Sequence, residues 1–201
     1  KYKPILTNEW TIGVIPGPQP TEEYLKPEYL QTLTNSEYEV NFNSARTGIR
    51  LNGPIPEWVR EDGGEAGLHP SNIHDNAYAI GTLDLTGDQP ILLGPDGPSL
   101  GGFVCAVTTA KGELWKIGQL HPGDKVRFQL LSLEEAELIR KTEDANIKFR
   151  NAIPKLPKPN KKLTPQYAIL AKEFAADTAI MIRLAGEENI LVEYRSEERR
   201  V

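Results

Sequence analysis

Turn-forming residues punctuate this chain so densely that long helices cannot dominate it: 17 glycines and 16 prolines fall among its 201 residues. Short apolar alternations lie between the breaks. Trp10-Thr11-Ile12-Gly13-Val14-Ile15 alternates bulky and small residues and stops at Pro16-Gly17-Pro18, a strand with a hard terminator. Tyr38 to Phe42, Gly48 to Leu51, Tyr78 to Leu85, Pro90 to Leu93, Phe103 to Thr108 and Lys125 to Leu130 read as further strands. Thr86-Gly87-Asp88-Gln89 joins two of them as a hairpin, with Gly87 where a positive φ is wanted. The helical pieces are few. Thr21 to Leu25 and Pro27 to Gln31 read as short helical turns, Thr21 capping the first and Pro27 opening the second. Trp115 to Leu120 fits a strand or a helical turn, and Ser132 with Glu135 forms a capping box for a helix reaching about Phe149. Repeated short strands with glycine turns favour a mainly β fold closed into a barrel.

The pattern changes after residue 150. Pro154, Pro157 and Pro159 with Lys155, Lys158, Lys161 and Lys162 predict a stiff basic linker over 151–165. Ile169 to Phe174, Thr178 to Leu184 and Ile190 to Tyr194 then read as strands, and three strands bury too little to stand alone, so 166–201 reads as the opening of a second domain. The sole methionine is Met181 and the chain opens on Lys1-Tyr2-Lys3-Pro4, which reads as a segment of a longer polypeptide.

A formal net charge of −5 speaks against nucleic-acid binding, which needs a basic face. The longest apolar run, Phe103 to Val107, is far shorter than the ~20 residues that span a bilayer. One cysteine, Cys105, excludes an internal disulfide framework and fits a reducing compartment, the cytoplasm. It lies in an apolar strand and reads as a core residue rather than a nucleophile.

Three stretches carry chemistry. His69-Pro70-Ser71-Asn72-Ile73-His74-Asp75-Asn76 ends a long aperiodic stretch from Asn52, a length of loop that is usually functional or disordered. Its histidines are five apart with a proline between, which disfavours a helical metal pair, and no metal is expected. Its Asx residues either stabilise the loop through their own backbone or form a polar site. Arg46 and Arg50 would share one face of a strand and so reach one anion, or else stand as solvated surface charges. Gly94-Pro95-Asp96-Gly97-Pro98-Ser99-Leu100-Gly101-Gly102 either presents backbone N–H groups to an oxyanion or is an ordinary connection. It lacks the Gly-Lys-Ser/Thr of a phosphate loop, so ATP and NAD sites are not indicated in this segment.

Four runs carry a family resemblance: Arg46 to Pro54, Gly67 to Gly81, Gly94 to Cys105, and Ile117-Gly118-Gln119-Leu120-His121-Pro122-Gly123-Asp124. Together they resemble the carboxyltransferase domain of urea carboxylases, a branch of the allophanate hydrolase subunit 2-like proteins, and the run His69 to Asp75 narrows the match to that branch. The resemblance implies that 1–150 is the second half of the subunit 2-like domain and 166–201 the start of a subunit 1-like domain. It also implies a cyclophilin-like β barrel. The tail Arg195 to Val201 departs from the family pattern.

The chemistry so implied is carboxyl transfer from carboxybiotin to urea, giving allophanate. Biotin would sit on a separate carrier domain, and ATP and Mg²⁺ at a separate biotin carboxylase domain, both partners within one polypeptide that can extend to a fused allophanate hydrolase. None of these cofactors would be bound by this segment itself. On this resemblance Asp75 and His74 are the catalytic candidates. Asn72, Asn76, Arg46, Arg50 and Glu65 are substrate-binding candidates, and Gly97, Ser99, Gly101 and Gly102 form the oxyanion or biotin loop. Guanidine carboxylation, a 5-oxoprolinase subunit and a non-catalytic barrel scaffold are the alternatives.

Overall fold

The structure is a computed structural model that describes residues 5–19, 22–149, 179–182 and 190–193. The chain lays down β1 (Glu9–Pro16), α1 (Tyr29–Asn35), β2 (Tyr38–Val40), β3 (Gly48–Asn52), β4 (Asn72–Ala77), β5 (Thr82–Thr86) and β6 (Gln89–Leu93). After these come β7 (Leu100–Phe103), β8 (Cys105–Thr109), α2 (Leu114–Ile117), β9 (Lys125–Leu130) and α3 (Leu133–Phe149). Seven strands close into a barrel in the order β1-β8-β5-β6-β3-β2-β9, as a mainly β chain of short alternating segments predicts. Closure brings the first and last barrel strands together in parallel, with Trp10 opposite Val126 and Ile12 opposite Phe128.

Inward side chains fill the barrel: Ile12, Val14, Leu51, Leu83, Leu85 and Leu92 are fully buried. Each such burial contributes roughly 1.5–3 kcal/mol. β1 begins as a half-buried strand, with Glu9 and Thr11 exposed, and then becomes buried on both faces. The second face is covered because Ile15 packs outward with Ala136 and Ile139 of α3. The capping box forms as the spacing predicts: Glu135 N–H donates to Ser132 Oγ at 3.1 Å, and Ser132 N–H donates to Glu135 Oε2 at 2.8 Å.

Several segments differ from their sequence pattern. Residues 72–77, expected to end a loop, form β4 and pair with β7 in a separate two-stranded ribbon. Both faces of β4 are polar or partly exposed, so it carries no period-two signal. The expected strand from Tyr78 begins only at Thr82, because Gly81, at φ +83°, turns the chain from the ribbon into the barrel. The strand expected over Phe103 to Thr108 is two strands: Val104 leaves the ladder between them, donating its N–H to the Ser71 carbonyl and accepting from Leu85 N–H. A turn forms at 22–24 within the first expected piece, whereas the second becomes the helix α1, which starts at Tyr29 rather than Pro27, with Glu28 as its N-cap. The ambiguous Trp115 stretch is helical in α2. Strands β10 (Ala179–Ile182) and β11 (Ile190–Glu193) pair antiparallel where strands were expected. The proline-rich linker and Ile169 to Phe174 lie outside the described residues.

Candidate functional site

The ribbon puts the polar run on display through a register shift. Asn72 opposes Phe103 and Asn76 opposes Gly101, so Ile73, His74 and Asp75 face Gly102 alone. Such a bulge pushes the surplus residues out of the ladder and re-aims their side chains. His74 and Asp75 are accordingly exposed, whereas Asn72 and Asn76 are half-buried. Asn76 Nδ2 donates to Gln19 Oε1 at 3.4 Å and to Cys105 Sγ at 3.7 Å, which ties the ribbon to the barrel beneath it.

His69 stands apart from this display. Its Nδ1 accepts the Ser71 N–H at 3.2 Å, which leaves the ring proton on Nε2, 3.6 Å from Asp88 Oδ1. Its ring meets Trp58 edge-on at 5.6 Å, and Trp58 Nε1–H donates to the same Asp88 oxygen at 3.0 Å. Ser71 is fully buried, and its Oγ accepts the Gly87 N–H. His69 thus fastens the long loop to the β5–β6 turn and so sets where β4 begins. Among the described residues no three His, Cys, Asp or Glu side chains gather as a metal site.

The two arginines do not converge on one anion. Arg46 precedes β3 in a turn, and its guanidinium holds Asp96 at 2.5 and 3.0 Å, which lowers the Asp96 carboxyl below its usual range. Arg50 lies within β3 and donates to the Asn43 carbonyl at 2.5 Å. Glu65 is exposed at the start of a single 3₁₀ turn, Glu65–Gly67. The glycine loop is bound to the turn that carries Arg46 rather than open to an anion. Gly94, Asp96 and Gly97 donate their N–H groups to the carbonyls of Thr47, Arg46 and Gly94. Ser99 offers its carbonyl to Tyr78 N–H, and Gly101 and Gly102 belong to β7.

Between the ribbon and the barrel wall runs a groove of about 350 Å³, walled by Arg50, Tyr78, Asp84, Ile91, Gly101 and Phe103. Asp84 is only 5 % exposed. Its Oδ2 accepts from Thr86 Oγ1–H at 3.3 Å, and its Oδ1 has no hydrogen-bond partner among the described residues. Burial pushes its pKa up to about 6 against the opposing effect of the Thr86 hydrogen bond. Burial also raises the Tyr78 phenol, and the neighbouring Asp84 charge adds to this. Tyr78 Oη accepts the Phe103 N–H at 2.8 Å.

Residues 1–130 match the carboxyltransferase domain, subdomains A and B. The chain belongs to this carboxyltransferase family. It is 42 % identical to the urea amidolyase of Lachancea kluyveri, over 92 % of this chain and 10 % of that protein. It is 47 % identical to a putative urea carboxylase of Emericella nidulans, over 68 % of this chain and 11 % of that protein. The crystal structure of the Kluyveromyces lactis urea carboxylase superposes with a TM-score of 0.72 at 39 % identity, covering 96 % of this chain and 17 % of that one. The chain therefore spans about a tenth of the length of these two curated relatives.

Within this carboxyltransferase segment, sequence reasoning passed over three residues that the structure places at the ribbon and groove. Asp84 sits between Leu83 and Leu85, which point into the barrel, and so reads as an ordinary solvent-facing position. In the fold it is buried in the wall of the groove between the barrel and the ribbon. Tyr78 reads as the start of a strand, and Gln19 as part of a proline turn. A lone carboxylate between two leucines was the one available signal, and it concerned Asp84 alone.

Proposed function

We propose that this chain is part of the carboxyltransferase component of a biotin-dependent urea carboxylase acting in the cytoplasm, where a carboxyl group is transferred to a urea nitrogen to give allophanate. The observation that carries the reading is the alignment with the Lachancea kluyveri urea amidolyase over 92 % of the chain, well beyond the matched family domain. Residues 166–201 then open a subunit 1-like domain. The biotin carrier and biotin carboxylase domains, with its ATP and Mg²⁺, lie elsewhere in the same polypeptide, which can extend to a fused allophanate hydrolase.

Urea offers two NH₂ groups and one carbonyl, and the bulge offers matching groups. Asp75 accepts a urea N–H and takes up the proton released as that nitrogen is carboxylated, with His74 beside it as a second proton-transfer group. Asn72 and Asn76 hold the remaining polar atoms. Arg50, which lines the groove and donates one N–H to the Asn43 carbonyl, steadies a carboxylate with its remaining donors, whereas Arg46 is paired with Asp96. Carboxybiotin supplies the activated carboxyl group, and the groove, with mostly apolar walls and the unpartnered Asp84 oxygen, suits a small ring bearing N–H and C=O groups. Water must be kept from such a reagent, so the exposed His74 and Asp75 need a covering surface from another domain.

The test is substrate-dependent ATP turnover by the full-length polypeptide with urea, guanidine and 5-oxoproline offered separately. Urea-stimulated turnover that avidin abolishes is the expected result. Stimulation by guanidine or 5-oxoproline alone would replace this reading.

A further inference from the structure

Gln19 lies in the proline turn after β1, yet it is locked to β8 twice. The Gln19 N–H donates to the Cys105 carbonyl at 3.2 Å, and the Cys105 N–H donates to Gln19 Oε1 at 3.1 Å. Two residues earlier Gly17 N–H donates to the Ala106 carbonyl at 2.9 Å. The approach is so close that a Cβ on Gly17 would fall 2.5 Å from the Cys105 carbonyl oxygen. The side chain of Gln19 thus completes a pairing that a neighbouring strand would otherwise make.

This anchoring determines the orientation of a second amide. A backbone N–H can only donate, so the Gln19 atom facing Cys105 is its oxygen. That same oxygen lies 3.4 Å from the Asn76 carboxamide and can meet only a donor, so Asn76 turns Nδ2 toward it. The other Asn76 N–H reaches Cys105 Sγ at 3.7 Å. Burial raises the Cys105 thiol pKa, so the sulfur keeps its proton, donates it to the Phe103 carbonyl at 3.6 Å, and accepts through its lone pairs. Both Asn76 donors are therefore engaged with the barrel, and Oδ1 is the atom left for a ligand.

We propose that Gln19 is a positioning residue that holds the Asn76 carboxamide with its oxygen toward the substrate, making position 76 an acceptor of substrate N–H groups. The inference rests on the reading of Asn76 as part of the urea site. It assigns the substrate an NH₂ at this position, where a carbonyl or carboxylate would meet repulsion.

Urea kinetics of full-length Gln19→Met, Gln19→Glu and Asn76→Ala proteins test it. Methionine matches the length but removes the acceptor, freeing the Asn76 amide to turn. KM for urea should rise roughly tenfold, about the worth of one hydrogen bond, while urea-independent ATP cleavage is unchanged. Glutamate keeps an oxygen for both Cys105 N–H and Asn76, and should hold KM within about twofold of the native value. Should Gln19→Met be recovered unfolded, Gln19→Asn, one methylene too short to reach Asn76, carries the same expectation. A raised KM in the Met or Asn protein that Glu restores supports the proposal. A native KM in a folded Met or Asn protein overturns it, provided Asn76→Ala itself raises KM. A native KM in Asn76→Ala overturns the reading of Asn76 as a substrate residue, and the proposal with it.

Discussion

The ring of Tyr78 occupies the space that a side chain at position 101 would need: a Cβ on Gly101 would come 2.3 Å from Tyr78 Cε2. Since Tyr78 Oη also accepts the Phe103 N–H, this one contact joins the ribbon to the groove. Gly101→Ala must therefore displace the ring, at a cost of about 1–3 kcal/mol. Gly118→Ala is the control, because the nearest atom to its added Cβ is an ordinary 3.6 Å away. Thermal unfolding of the two proteins should show a clear loss for the first and little change for the second.

Asp84 makes stability depend on pH. Its pKa rises from an unfolded value of about 3.9 to about 6 in the fold, so its carboxyl prefers to be protonated there. Its favourable contribution is complete below about pH 4 and is lost as pH rises through 6. Asp84→Asn cannot ionise, so its stability relative to the native protein should climb between pH 4 and 6 and level off above about 7. The gain should be on the order of 3 kcal/mol at most. Melting curves from pH 4 to 8 measure it, and a pH-independent difference would contradict the burial argument.

How far the sequence could be read follows the physics of each segment. Barrel strands with one face in the core, such as Lys125–Leu130, carry the period-two signal and were legible. So was the turn at Gly87, whose φ of +63° the residue type anticipates. β4 was not legible, because it pairs with one strand only and meets the barrel through Ile73 and Asn76 while His74 and Asp75 face solvent, a pattern without period-two alternation. The run His69 to Asn76 was visible as chemistry, but not its division into an architectural His69 and a displayed His74 and Asp75. That division depends on Trp58 and Asp88, far away in sequence. Gln19 and Asp84 were missed for a related reason: the groups that give them meaning, Cys105 of β8 and Asn76 for Gln19 and the groove wall for Asp84, meet them only in the folded chain.

The capping box at the start of α3 offers a local check on the sequence reading. Ser132→Ala removes the oxygen that accepts the Glu135 N–H and should cost about 1 kcal/mol. Glu135→Ala removes the reciprocal bond to Ser132 N–H. The double variant should lose less than the sum of the two, since the residues share one network. Denaturant midpoints of the three proteins decide it.

The central claim is that the bulge of β4 carries the urea half-reaction, and Asp75→Ala in the full-length polypeptide tests it most directly. Asp75 is exposed and lies in the bulge, outside the regular ladder, so its loss should leave the melting curve nearly unchanged. Urea-dependent carboxylation should fall by about 10²–10⁴-fold, the usual contribution of a general base, while urea-independent ATP cleavage persists. Native urea turnover in the Asp75→Ala protein, or a loss of turnover that merely tracks a lowered melting temperature, would contradict the account.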